Sequence, residues 1–230
     1  MDRKKRLISI TVILLLFLFP KLKYFGLVLP NILICALIEI ALLLIAMPII
    51  SKGSFTLFGF RGFRLKLLIY PTIVLFLFAF SLNYLDIYIL QIPKGSAQIN
   101  ITSKSLRYLY AIVIGPILEE LVFRGILQTS IDYLQQKNIL KIRNFKISLS
   151  VFITALAFSL MHFSNLLVGA SLYLTTYIVI SAFIVGLVLS YYRERTQSLF
   201  PPIILHILYN LLVIIFTIVL IKIRYGIFIL

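Results

Sequence analysis

The chain has one cysteine, Cys35, and it lies inside an apolar run. Without a second thiol there is no intramolecular disulfide framework, so Cys35 reads as a packed or lipid-facing side chain. Acidic residues are also scarce, with seven Asp and Glu against 22 Lys and Arg in a chain only 13% charged. A soluble globular domain carries roughly a quarter charged residues. At 62% hydrophobic and a mean hydropathy of +1.11, this chain falls outside that class and reads as a polytopic membrane protein. The formal charge of +15 would suit nucleic acid, but the basic residues sit almost entirely in short segments between apolar runs, where they set membrane orientation. The expected partner is therefore the lipid bilayer and not nucleic acid. No internal repeat or low-complexity tract is evident, and nothing reads as a separate soluble domain. The Gly-x-Ser-x-Gly elbow and the His-Glu-x-x-His zinc-protease helix are both missing.

What remains is apolar helix. The runs predict an all-α transmembrane bundle of about seven spans, at Leu7 to Phe19 and at about 25–50, 67–91, 108–132, 148–168, 171–192 and 201–221. The first run follows Arg3-Lys4-Lys5-Arg6 in the manner of a signal peptide. It lacks a small-residue cleavage site and meets Pro20, so it reads as an uncleaved span, short against the usual length of about 20 residues. The links are short and polar, among them Ser51 to Lys66, Ile92 to Arg107, Tyr133 to Ile147 and Arg193 to Phe200. Placing the N-terminus in the cytoplasm puts fourteen Lys and Arg inside and seven outside. If the first run did not span, the counts would become ten and eleven and the bias would vanish. Ala182, Gly186 and Ser190 form a small-residue stripe that admits a close neighbouring helix. Pro116 removes one backbone hydrogen bond and predicts a kink, and Pro201-Pro202 suits a first helical turn.

Ionisable groups inside such spans are the candidate functional residues. Glu119, Glu120 and Arg124 stand in the middle of the segment 115–125, where each isolated charge costs roughly 2.5–3.5 kcal/mol to insert. On a helix Glu120 and Arg124 are four apart and can pair. Glu119 is rotated about 100° from its neighbour and is left for chemistry. The chain's two histidines, His162 and His206, are both in apolar spans, and His206 shares a helix face with Asn210. A carboxylate as general base, a histidine to share the proton, and a histidine with a carboxamide as oxyanion donors together suit hydrolysis. The same residues allow a second mechanism, a divalent metal such as zinc held by Glu119, His162 and His206. Asp86, Asp132 and Glu194 lie at span ends and read as solvated, whereas Glu39 is mid-span and is expected to bond a neighbouring helix or to serve function.

Three patterns, Glu119-Glu120-x-x-x-Arg124, Phe158-x-x-x-His162 and His206-x-x-x-Asn210, resemble the motifs of the CAAX-protease and bacteriocin-processing family of intramembrane proteases, also called the abortive-infection family. The approach to the third, from Gly186 through Tyr191, Arg193, Thr196 and Ser198-Leu199-Phe200-Pro201, is similar as well. The resemblance covers about 108–212. It implies a division into N-terminal helices at 1–107 without family signal, a protease core at 108–221 and a tail at 222–230. It further implies an endopeptidase acting on a membrane-embedded, prenylated or precursor peptide substrate. Glu119 would activate water with His162, His206 and Asn210 would bind the oxyanion, and Glu120 and Arg124 would support the site. The family is often labelled a metalloprotease, a label that does not establish a metal. Relatives also act in bacteriocin immunity, so a non-proteolytic immunity or interaction protein is one alternative and a small proton-coupled carrier is another.

Straight helices raise one difficulty. On this topology His206 lies roughly 8 Å from the cytoplasmic face, whereas Glu119 and His162 lie roughly 20 Å from it, at 1.5 Å per residue. The expectation is a cavity open to the cytoplasmic half, with water entering past His206.

Overall fold

The computed structural model describes residues 32–92, 103–134, 138–142 and 145–226. The expected first span, the tip of the tail and Lys94 lie outside the described residues. Among the described residues six helical rods form one bundle: α1 (Ile32–Ile50), α2 (Leu65–Leu90), α3 (104–134), α4 (Leu149–Met161, continued as a tighter coil over His162–Val168), α5 (Leu172–Thr196) and α6 (Phe200–Tyr225). All but α3 are long and apolar enough to cross a membrane. α3 carries the three charges of the first motif at its centre. The protein is mostly helical and multi-pass.

The helices are apolar nearly all round, as expected where both neighbours and lipid are apolar. Buried faces are picked out by spacing. Ala36, Leu43 and Met47 of α1 pack on Leu118, Leu121, Val122 and Ile126 of α3, while Ile38, Ile45 and Ile49 remain exposed on the opposite face. A second core, Leu75 of α2 with Val185 and Leu189 of α5 and Leu205 of α6, joins those three rods, while Phe158 of α4 belongs to the first. α2 and α6 run in the same direction, since contacts climb together from Phe76–Phe216 to Thr217 Oγ1 donating to Asn83 Oδ1 at 2.6 Å and Tyr88 Oη donating to the Leu220 carbonyl at 3.2 Å.

The small-residue stripe sets the closest helix approach. A Cβ placed on Gly186 would stand 3.2 Å from the Ala155 Cα and 3.2 Å from the Phe158 ring, so α4 and α5 meet there with no room for a side chain.

Two features differ from the sequence reading. The link 133–147 contains a hairpin, β1 (Asn138–Ile142) and β2 (Phe145–Ser148), paired antiparallel, so the fold is not purely helical. Alternation in Lys141-Ile142 and Phe145-Lys146-Ile147 favours a ribbon over a helix. Around Pro116 the helix widens: Tyr110–Ile114 and Leu121–Gln128 are π-helical, on either side of an α-helical turn Gly115–Glu120. A π register shifts each donor one residue further along the chain, which accommodates the missing proline N–H without breaking the rod.

Candidate active site

The charged centre of α3 is built on one helix face. Arg124 Nη1 donates to Glu120 Oε1 at 2.8 Å, and both side chains are fully buried. α5 completes the guanidinium's partners, because Nε donates to Ser190 Oγ at 3.2 Å and Nη2 to the Gly186 carbonyl at 3.2 Å. These acceptors belong to the same stripe that lets the helices close up. One turn on, Gln128 Nε2 donates to the Ser190 carbonyl at 2.9 Å. The Phe158 ring caps the guanidinium at 4.4 Å, a cation–π contact in a dry site.

His206 comes to this pair from α6. Its Nδ1 lies 2.8 Å from Glu120 Oε1, and its Nε2 lies 3.7 Å from Glu119 Oε2. A carboxylate accepts, so Nδ1 carries the hydrogen of that bond and Nε2 is the nitrogen turned toward Glu119. The Glu119 side chain is 23% exposed where that of Glu120 is at 0%. Adjacent carboxylates are thus divided between a sealed ion pair and an accessible group.

His162 sits at the end of α4, where its Nδ1 is 3.0 Å from the Phe158 carbonyl. Since that oxygen only accepts, Nδ1 holds a hydrogen, and Nε2 is the proton-accepting nitrogen of the neutral ring. The Phe158 ring centroid is 5.1 Å from that of His162 and 5.6 Å from that of His206, so the two histidines lie against one aromatic spacer. Asn210, one turn beyond His206, donates Nδ2 to the Ala111 carbonyl at 2.8 Å. The π register explains that oxygen's availability. Gly115 N–H bonds the Tyr110 carbonyl, and the next donor in that register is Pro116, which has no N–H to give Ala111.

His162, His206 and Asn210 line a single cavity of about 340 Å³. Glu119 and Glu120 reach it through His206, which touches both. The cavity's location departs from expectation. Its walls run from Phe158 and His206 to Asp86, Leu174 and Thr217, the ends of α2, α4, α5 and α6 that lie away from Pro201. It opens on the half of the bundle opposite the basic connections, not past the start of α6. Asp86, expected to be solvated, lines it while accepting the Ile92 N–H at 3.1 Å.

The depth difficulty is removed by the start of α6. Leu199, Pro201 and Pro202 are buried, Leu199 N–H donates to the Gly59 carbonyl at 2.7 Å, and Ser198 Oγ donates to the Arg61 carbonyl at 2.6 Å. Gly59 has φ +91°, and its missing side chain makes room for the Arg193 guanidinium, 2.7 Å from where a Cβ would be. The connection 51–64 therefore covers the first turn of α6 and carries His206 to the level of Glu120.

Other ionisable residues stay apart. Asp132 and Glu194 accept from Ser150 and Ser148 at the opposite end of α5. Glu39 is buried on α1 at 3% exposure. Among the described residues no three His, Cys, Asp or Glu side chains are grouped to hold a metal ion. In the Glu119, His162 and His206 set, one nitrogen of each ring is already directed at Phe158 or Glu120. Sequence reasoning missed Ser190, the Gly186 carbonyl and Gln128. Their signals were the stripe and a polar residue four beyond Arg124 in an apolar face.

Comparison with known proteins adds one match. Residues 101–212 match the family model described as type II CAAX prenyl endopeptidase Rce1-like. No curated protein and no solved structure matches the chain. The matched stretch, just under half of the chain, holds both carboxylates, Arg124, both histidines and Asn210, and over it the chain is similar to the Rce1-like family of type II CAAX prenyl endopeptidases.

Proposed function

We propose that the protein is an intramembrane endopeptidase that hydrolyses a peptide bond of a membrane-associated or lipidated peptide, with Glu119 as the base that activates water. The observation that carries the reading is the placement of Glu119 Oε2 3.7 Å from His206 Nε2, while His206 Nδ1 is held by the sealed Glu120–Arg124 pair. In the proposed reaction His206 is taken in its doubly protonated form, held by Glu120 through Nδ1 and facing Glu119 through Nε2. Nε2–H is then an oxyanion donor of fixed orientation.

In the proposed reaction Glu119, assisted by His162, takes a proton from water as its oxygen attacks the scissile carbonyl carbon. The carbonyl oxygen becomes an oxyanion, which accepts from His206 Nε2–H and from an amide N–H of Asn210. As the C–N bond breaks, the proton held on Glu119 passes to the leaving nitrogen, giving an acid and an amine. Every step uses side chains of this chain.

A second reading has its own support. Asn210 bonds Ala111, and Arg124 bonds Ser190 and Gly186, so the same polar groups also tie helices together, as they would in a non-proteolytic immunity or interaction protein. Comparing membrane peptides of cells carrying wild type and Glu119→Gln separates the two. The peptidase reading expects a product to disappear and its precursor to accumulate, and identical peptide sets would refute it.

Orientation belongs to the same proposal. With the N-terminus in the cytoplasm, the basic connections 51–66, 133–147 and 193–200 face inward. The cavity then opens toward the outer half of the membrane, and the substrate bond is presented from that side.

A further inference from the structure

A larger groove, of about 640 Å³, lies on the other half of the bundle, between the opening turns of α2 and the last turns of α5. That size falls within the range of small-molecule sites. One end is rimmed by Lys66, Tyr70, Tyr191 and Arg195, and the other is closed by Val74 and Ile184. No Asp or Glu lines it, and Glu194, next to Arg195 in sequence, is turned to Ser148. Arg195 Nη1 donates to Tyr191 Oη at 2.8 Å, which fixes the guanidinium at the rim. Both cations are exposed.

Length selects the occupant. From Ile184 to Arg195 a helix rises about 16 Å at 1.5 Å per residue, and half of the roughly 30 Å hydrocarbon core is about 15 Å. The groove is thus one leaflet deep, apolar along its length and doubly cationic at the headgroup level. We propose that it binds one anionic phospholipid, with the phosphate on Lys66 and Arg195 and an acyl chain between α2 and α5. A zwitterionic lipid brings a cation of its own to a rim that already has two, and a free phosphate leaves the apolar run uncovered. The proposal rests on membrane embedding and is independent of the peptidase reading.

The test is native mass spectrometry of the full chain in detergent with dioleoyl phosphatidylglycerol or dioleoyl phosphatidylcholine. Wild type should retain one phosphatidylglycerol in preference to phosphatidylcholine. Taking about fivefold per basic side chain near an anionic headgroup, Lys66→Gln with Arg195→Gln should weaken that retention about 30-fold. Lys66→Arg with Arg195→Lys, which keeps both charges, should preserve it. Ile184→Trp, which fills the apolar run and leaves the rim intact, should abolish it. Equal retention of the two lipids by wild type, unchanged binding in the double glutamine variant, or binding that survives Ile184→Trp would overturn the proposal. Displacement of the lipid by millimolar inorganic phosphate would also overturn it, since it would show that the rim alone binds.

Discussion

Replacing Arg124 by methionine removes a guanidinium that is fully buried and bonded to Glu120, Ser190 and the Gly186 carbonyl. The methionine stem still fills the space beside Phe158, so the main loss is electrostatic, a buried Glu120 carboxylate left with His206 as its partner. Breaking a buried pair by removing one member costs about 3–5 kcal/mol, and that is the expected destabilisation. Glu120→Gln leaves Arg124 without its counter-ion and should cost a similar amount. Combining the two removes both charges, while the carboxamide oxygen at 120 still accepts from His206 Nδ1. The double variant should therefore recover to within about 1–2 kcal/mol of wild type, a coupling well above the scatter of additive sites. Unfolding by SDS titration in mixed micelles measures all four proteins. Peptide hydrolysis measured on the same samples should stay lost in the double variant, because a carboxamide at 120 holds the His206 ring less firmly than the carboxylate that accepts from Nδ1 in wild type. Single variants within about 1 kcal/mol of wild type, or strictly additive losses, would refute the account of a sealed ion pair.

Other perturbations address neighbouring links. Glu119→Gln should reduce hydrolysis by about 10²–10⁴, the range for general acid–base groups, with stability changed by about 1 kcal/mol or less because its side chain is partly exposed; a near-normal rate would remove Glu119 as the base. Gly186→Leu drives a side chain into the Ala155 backbone and displaces the carbonyl that holds Arg124, and should destabilise by about 1–3 kcal/mol or more in the same titration. Hydrolysis should survive chelation, whereas stoichiometric zinc lost together with activity and restored on re-addition would replace the proposed base mechanism with a metal-based one. In a Cys35→Ser background, Val213→Cys in the cavity wall should react with a membrane-impermeant thiol reagent from the outer face of intact cells; reaction from the inner face alone would invert the assigned orientation.

The parts of this site that were legible in the sequence are those set by helix geometry. An i to i+4 spacing pairs Glu120 with Arg124, and a stripe of Ala182, Gly186 and Ser190 identifies where a helix comes close. That Ser190 and Gly186 also receive the guanidinium was not legible, because it depends on the rotation of α5 against α3. The depth of His206 failed for a similar reason. Counting residues from Pro201 assumes that the proline marks the membrane surface, whereas the chain around Gly59 and Arg61 folds over it. The cavity's side could not be counted from one helix either, since its walls are the far ends of four rods. Pro116 did announce a local departure, but its form, π turns that leave the Ala111 carbonyl to Asn210, depends on the partner helix.

The contrast between adjacent carboxylates ties these observations together. A charge sealed from water is costly unless its own groups are bonded, and Arg124 uses all three of its nitrogens, while Glu120 bonds through Oε1 alone among the described residues. Glu120 at zero exposure is therefore poorly suited to exchange protons with a substrate, since protonating it would strand the guanidinium. Glu119, one residue earlier and about 100° around the helix, has no such tie and keeps 23% of its side chain accessible. The ionised pair instead fixes His206, and His206 turns its second nitrogen toward Glu119. Under the proposed mechanism two carboxylates of the same chemical kind thus take different work from their difference in burial, one holding the ring and the other left where a proton can arrive and leave.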